Sequence, residues 1–177
     1  RQRQMCIRDR YPGSQGGLAL AELLFGAYSP AGRLPVTFYR DTADLPDFLD
    51  YSMENRTYRY FQGEALYPFG YGLSYTSFAY SDLKLNKEEL SAGESLFAEV
   101  TVTNTGARDG DEVLECYLRD EEASVSTPKW SLCGFQRFHL KAGESRRIQL
   151  EIKAESMRIV DEQGERYVEP GAFTLFV

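Results

Sequence analysis

The sequence predicts a mainly β fold: an antiparallel β-sandwich preceded by the last elements of an α/β layer and an aromatic-rich connector. Three observations predict it. From Phe78 onward, apolar and polar residues alternate in short runs separated by turn residues. Before that, one helical pattern and one extended segment stand alone, too little for a core of their own. Between them, residues 40–77 hold much of the chain's 14% aromatic content with no sustained period of 2 or 3.6.

Taken in order, residues 1–10 (RQRQMCIRDR) carry four Arg and one Asp, a local charge of +3, without periodicity. They read as a leader foreign to the fold, the alternative being a basic arm for an anionic partner. Pro12, Gly13, Gly16 and Gly17 make a turn-rich opening. Leu18 to Phe25 then reads as a helix, with Leu20, Leu23 and Leu24 at helical spacing and Gly26 at the C′ position. Both of its faces are apolar, so it is expected to be buried in a larger body. Ser29-Pro30-Ala31-Gly32 is a turn, and Leu34 to Tyr39 has strand character.

Residues 40–77 contain Asp41, Asp44, Asp47 and Asp50, together with Tyr51, Tyr58, Tyr60, Phe61, Tyr67, Phe69, Tyr71 and Tyr75. A segment of this length without regular structure is unusual in a compact domain. Its rings make it a strap packed over a neighbouring surface rather than a floppy linker.

The sandwich strands follow. Leu83 and Leu85 alternate with polar residues. Leu96, Ala98, Val100 and Val102 share one face, and Leu114, Cys116 and Leu118 form the next inward set. Phe135, Phe138 and Leu140 belong to a strand bulged near Gly134. Ile148, Leu150 and Ile152 alternate with Gln149 and Glu151. Ile159 to Val168 reads as a hairpin around Asp161 to Gly164, and Phe173, Leu175 and Val177 close the series. About seven short strands over roughly 100 residues indicate a sandwich of immunoglobulin or fibronectin type III kind.

Composition bounds the function. The 177 residues carry 27 acidic and 20 basic side chains, a net charge of −7, and the first ten residues leave −10 for the remainder. An acidic chain argues against a nucleic-acid partner, whose phosphates require Lys and Arg. The longest apolar run, Leu18 to Phe25, is interrupted by Glu22 and far short of the roughly 20 residues of a membrane span. Cys6, Cys116 and Cys133 match no zinc spacing and no disulfide framework. Cys116 and Cys133 read as two buried or half-buried thiols, a single bridge between them being the alternative.

Catalytic constellations are sparse. His139, the only imidazole, falls on a strand and is expected to face outward. No G-x-S-x-G elbow or P-loop is present, and Gly70-Tyr71-Gly72 lacks the third glycine of a dinucleotide loop. No cofactor is implied. Asp109, Asp111 and Glu112 around Gly110 read as an acidic turn, the alternative being a calcium site. Asp47 and Asp50 read as solvated loop acids rather than a glycosidase carboxylate pair, which needs a separation of about 5–5.5 Å in retaining enzymes. Asn55-Arg56-Thr57 has the form of a glycosylation sequon, too common by chance to carry a claim.

Three ordered motifs resemble glycoside hydrolase family 3, of the β-glucosidase and β-xylosidase branch. The first runs from Tyr11 to Gly26 (YPGSQGGLALAELLFG) and continues as Tyr28 to Thr37 (YSPAGRLPVT). Gln15 stands where members often have an acidic residue. The second is Leu66 to Phe78 (LYPFGYGLSYTSF), preceded by Tyr51-Ser52-Met53 and Arg56 to Phe61 (RTYRYF). The third comprises Val100 to Gly106 (VTVTNTG), Gly110 to Val113, Gly134-Phe135 and Val168 to Gly171.

The resemblance implies a division into a leader (1–10), the tail of an α/β sandwich domain (11–40), a connector strap (41–77) and a fibronectin type III-like domain (78–177). It implies a C-terminal fragment of an exo-acting retaining β-glycosidase, structural and inactive by itself; the alternative is a stand-alone carbohydrate- or protein-binding fibronectin type III-like module. The family's aspartate nucleophile and glutamate acid/base are expected upstream, so no catalytic residue is assigned here. The expected partners are a β-linked oligosaccharide, met through domains outside this chain, and those barrel and α/β domains themselves. Packing between domains is the expected role of the strap's rings; the alternative is that Tyr58, Arg59, Tyr60 and Phe61 reach the rim of the sugar cleft as substrate-binding candidates, because aromatic faces and Arg donors suit sugars.

Overall fold

The computed structural model describes residues 11 and 13–177, so the leader with Cys6, and Pro12 of the opening turn, lie outside the described residues. Helix α1 spans Gly16–Leu24. Gly26, at φ +74°, ends it: Gly26 N–H donates to the Leu23 carbonyl at 3.0 Å and Ala27 N–H to the Glu22 carbonyl at 2.8 Å. This is the Schellman arrangement that the C′ glycine predicts. The helix is not buried here: Leu18, Leu24 and Phe25 are exposed, and only Gly16 is enclosed.

Leu34 to Tyr39 does not form a strand. It makes one antiparallel bridge, Phe38 to Tyr67, flanked by Leu34 N–H to the Tyr71 carbonyl and Gly70 N–H to the Leu34 carbonyl. Pro35 and Pro68 lack donors, and no further segment extends the ladder among the described residues. Residues 40–77 contain two isolated turns of helix: a 3₁₀ turn at Thr42–Asp44, capped by Asp41, and α2 at Thr57–Tyr60.

Eight strands follow: β1 Phe78–Leu85, β2 Leu96–Asn104, β3 Gly110–Asp120, β4 Ser131–Leu140, β5 Ser145–Ile152, β6 Ile159–Val160, β7 Arg166–Tyr167 and β8 Phe173–Phe176. They form two antiparallel three-stranded sheets, β1-β2-β5 and β4-β3-β8, and the small β6-β7 hairpin. The alternation sets the buried faces. Leu96, Ala98, Val100 and Val102 of β2 meet Leu114 and Cys116 of β3 across the sandwich, with Leu140, Ile148 and Ile152 closing the core, and Leu118 packs with Ala154 and Met157. β1 departs from its pattern: Asp82 at φ +55° marks a register shift between Ser81 and Lys84, leaving Leu83 and Leu85 exposed on an edge strand. β4 is bulged where expected, with Cys133 the extra residue between Gly134 opposite Cys116 and Leu132 opposite Tyr117.

Asn104, fully buried at the end of β2, ties three segments together. Its amide donates to the Arg108 carbonyl (2.8 Å) and the Leu140 carbonyl (3.2 Å), and its Oδ1 accepts from Thr76 Oγ1 (2.6 Å) and Gly106 N–H (3.1 Å). Glu112 on β3 is buried at the sandwich end, where Arg33 reaches in to pair with it. Among the described residues, no helix is long and apolar enough to cross a membrane.

Candidate functional site: an aromatic cleft between connector and sheet

An antiparallel sheet often leaves its outer face wet. Here the connector covers part of the outer face of β4-β3-β8. Tyr58 stacks on Phe69 at 4.2 Å between centroids, and both rings meet Tyr117 of β3 edge-on, at 6.1 and 6.4 Å. Three hydrogen bonds fasten α2 to the β3–β4 loop and the start of β4. Lys129 N–H donates to the Arg59 carbonyl (2.8 Å), Lys129 Nζ to the Phe61 carbonyl (3.0 Å) and Leu132 N–H to the Tyr58 hydroxyl (3.0 Å).

Local conformation aims these groups. Asn55 and Thr57 lie at φ +54° and +55°, on either side of Arg56. For β-branched Thr57 that region is costly, so the surrounding contacts must hold it. Asn55 Oδ1 accepts from Gln62 N–H at 2.9 Å, closing the turn, and Arg56 donates to the Ser52 and Asp50 carbonyls. Asp47 and Asp50 cap their own loops, accepting from Leu49 N–H and Ser52 N–H, as solvated loop acids do.

The structure brings two of the four sequence candidates, Tyr58 and Phe61, into the lining of the cleft and leaves Arg59 and Tyr60 outside it. Tyr58 is half-buried as a wall of the cleft. Phe61 is 6% exposed and meets Tyr39 edge-on at 4.7 Å. Arg59 is exposed, its guanidinium 6.0 Å from the Tyr58 ring centroid. Tyr60 lines a separate surface depression with Met53, Gln62 and Thr127. Tyr117 of β3, Lys129, Trp130 and Phe176 of β8 also line the cleft and are not among the sequence candidates, with Lys129 Nζ 5.3 Å from the Trp130 ring centroid and Phe176 edge-on to that ring at 6.3 Å. The lone tryptophan was the available signal; only the β3–β8 pairing brings Phe176 beside it.

The cleft is about 420 Å³ and no carboxylate lines it. Below it, Tyr117 donates to Glu115 Oε2 at 2.5 Å, and burial together with that carboxylate pushes the phenol's pKa up, so it stays a donor. Gly70, at φ +80°, runs directly above; an added Cβ would overlap the Glu115 carboxylate. The arrangement can hold a ring against aromatic faces, but it offers no acid and nucleophile pair for cleaving a glycoside.

The remaining candidates are placed elsewhere. His139 faces outward, with Nδ1 2.7 Å from Asp111 Oδ1. Asp111 also accepts from Arg137, Asp109 accepts from Ala142 N–H, and Glu112 pairs with Arg33, so the acidic turn points in three directions. Among the described residues no group of three acidic, His or Cys side chains is placed to hold a metal. Cys116 and Cys133 are free thiols, Cys133 Sγ donating to the Cys116 carbonyl at 3.2 Å.

Comparison with known proteins agrees with the ordered motifs. Residues 6–75 match the glycosyl hydrolase family 3 C-terminal domain, and residues 112–177 match the fibronectin type III-like domain. The chain is 43% identical over 170 residues to a xylan 1,4-β-xylosidase from Xylanibacter ruminicola, covering 96% of this chain and 19% of that protein. It is 38% identical over 179 residues to a periplasmic β-glucosidase from Salmonella typhimurium, covering 94% of this chain and 23% of that protein. A solved β-glucosidase from Erythrobacter marinus superposes with a TM-score of 0.80 at 37% identity, over 93% of this chain and 22% of that one. The chain thus spans about a fifth to a quarter of the length of these relatives. It belongs to glycosyl hydrolase family 3, carrying that family's C-terminal domain and fibronectin type III-like domain in succession.

Proposed function

We propose that the chain serves as the C-terminal portion of an exo-acting retaining β-glycosidase that hydrolyses O-glycosyl bonds in β-glucosides or xylo-oligosaccharides. The observation that carries this reading is its similarity to β-xylosidases and β-glucosidases over nearly its whole length while spanning only a fifth to a quarter of theirs. On this reading residues 11–40 end an α/β sandwich domain, 41–77 are the connector and 78–177 the terminal sandwich. The nucleophile and acid/base carboxylates belong to the portion upstream, where a glycosyl-enzyme intermediate forms and is hydrolysed.

The chain's own contribution is structural. Its exposed apolar residues Leu18, Leu24, Phe25, Phe48, Leu49 and Tyr51 form the surface that the barrel and α/β domains cover. Of the four connector candidates, Arg59 is exposed beside the Tyr58 hydroxyl, to which its Nε donates at 3.5 Å, and is the one placed to meet a sugar at the rim; Tyr58 and Phe61 hold the connector in place.

The test is turnover of aryl β-glucoside and β-xyloside. The purified chain is expected to show none. A soluble fusion of this chain to the upstream portion of the Xylanibacter relative is expected to turn over one of them. Hydrolysis by the chain alone, or an inert fusion, overturns the reading.

A further inference from the structure

The aromatic cleft has the features of a ligand site and not merely of a packing seam. Its volume of about 420 Å³ lies within the roughly 300–1,000 Å³ typical of small-molecule sites, which are mostly apolar with a few fixed polar groups. Tyr58, Tyr117, Trp130 and Phe176 supply ring surface, Lys129 supplies a donor beside them, and Thr37 lines the same space. Thr37 Oγ1 is buried without a hydrogen-bond partner, a state that costs about 1–3 kcal/mol.

The lining also selects the ligand class. No carboxylate is present to hold a cation. Lys129 Nζ donates to the neutral Phe61 carbonyl and rests 5.3 Å from the Trp130 ring centroid, and an ammonium's remaining N–H donors can meet a ligand oxygen. What remains suits a neutral ring with an apolar C–H face and peripheral hydroxyls.

We propose that this cleft binds one sugar ring of a β-linked oligosaccharide, with Trp130 and Phe176 as stacking surfaces and Lys129 as hydroxyl donor. The β-linked class rests on the function proposed above; the neutral-ring chemistry rests on the cleft alone.

Trp130 is the chain's only tryptophan, so its fluorescence reports the cleft without labels. The 177-residue chain is titrated with xylobiose, xylotetraose, cellobiose and cellotetraose, with maltotetraose as the α-linked comparison. A saturable emission change with the β-linked sugars is expected, at least tenfold weaker in Lys129→Ala and in Phe176→Ala. Phe135→Ala, exposed on β4 outside the cleft lining, is expected to bind as the parent does. A flat titration overturns the site, as does unchanged binding in both cleft variants. Equal binding of maltotetraose overturns the β-linked class. The aryl-glycoside assay is independent of this signal: a flat titration beside an active fusion discards the site alone, and binding beside an inert fusion discards the enzymatic reading alone. Binding that vanishes in the fusion shows protein filling the cleft and also overturns the site.

Discussion

Arg33 and Glu112, 79 residues apart in sequence, form an ion pair that joins the segment before the connector to the buried end of β3. Their side chains are 18% and 5% exposed, so the pair is largely withdrawn from water. Glu112 Oε1 also accepts from Val113 N–H at 2.9 Å, and the Tyr80 phenol beside it is pushed up in pKa by desolvation and by that carboxylate. Breaking such a pair strands a buried charge, whereas removing both charges does not. Arg33→Met is expected to cost about 3–5 kcal/mol in urea unfolding. Arg33→Met combined with Glu112→Leu is expected to cost less than the sum of the two single changes; simple additivity would refute the coupling.

Gly70 sits in the left-handed region directly above Glu115 and Tyr117. Gly70→Ala adds backbone strain of about 1–2 kcal/mol and pushes the Glu115 carboxylate out of its bond with Tyr117. The connector is expected to loosen from the sheet before the sandwich unfolds. Limited proteolysis checks this: cleavage within residues 41–77 accelerates, while fragments containing β2 to β5 remain protected.

Asn104→Ala removes a side chain that meets four groups at once. The Leu140 carbonyl loses its amide donor and the Thr76 hydroxyl its acceptor, in the dry interior between the sheets. A loss of about 2–3 kcal/mol is expected, since each orphaned polar group costs about 1–3 kcal/mol. A urea midpoint equal to that of the unaltered chain would contradict this account.

Asp111 gives a pH dependence with a defined sign. Its hydrogen bond with His139, and then its bonds with Arg137, hold the carboxyl below the usual aspartate value. A depressed folded pKa contributes stability that is present above the unfolded value near 4 and is lost as pH falls through the folded value. The carboxyl is 28% exposed and its Arg137 and His139 partners are more open to solvent, so screening keeps the effect small, within about 1 kcal/mol. Asp111→Asn is expected to flatten the acid limb of the stability profile between pH 5 and 2 and to leave its neutral region almost unchanged.

The cysteines should differ in reactivity. Cys116 is fully buried, and enclosure beside the Cys133 sulfur pushes its thiol well up in pKa. Iodoacetamide labelling followed by peptide mapping is expected to leave Cys116 unmodified in the native chain and to modify it in urea. Rapid native labelling of Cys116 would contradict this packing.

The residues themselves determined the sandwich. In β2, β3 and β5 the period-2 pattern of Leu, Val, Ile and Cys specifies which face is inward, because a one-residue slip would turn the whole set to solvent. Gly26 likewise specified the end of α1, since a left-handed C′ position favours glycine. The ordered motifs reached the family as well. Tertiary structure decided the rest, because it depends on partners distant in sequence. Leu34 to Tyr39 had strand chemistry but found only a one-bridge partner, so it stayed irregular. Leu83 and Leu85 had the alternation, but the bulge at Asp82 turned β1 away from the core. The cleft was hidden for the same reason: Thr37, Tyr58, Tyr117, Trp130 and Phe176 span 139 positions, and only the folding of the connector onto β4-β3-β8 gathers them. Local pattern encodes which way a side chain faces; which surface it meets is set by long-range closure.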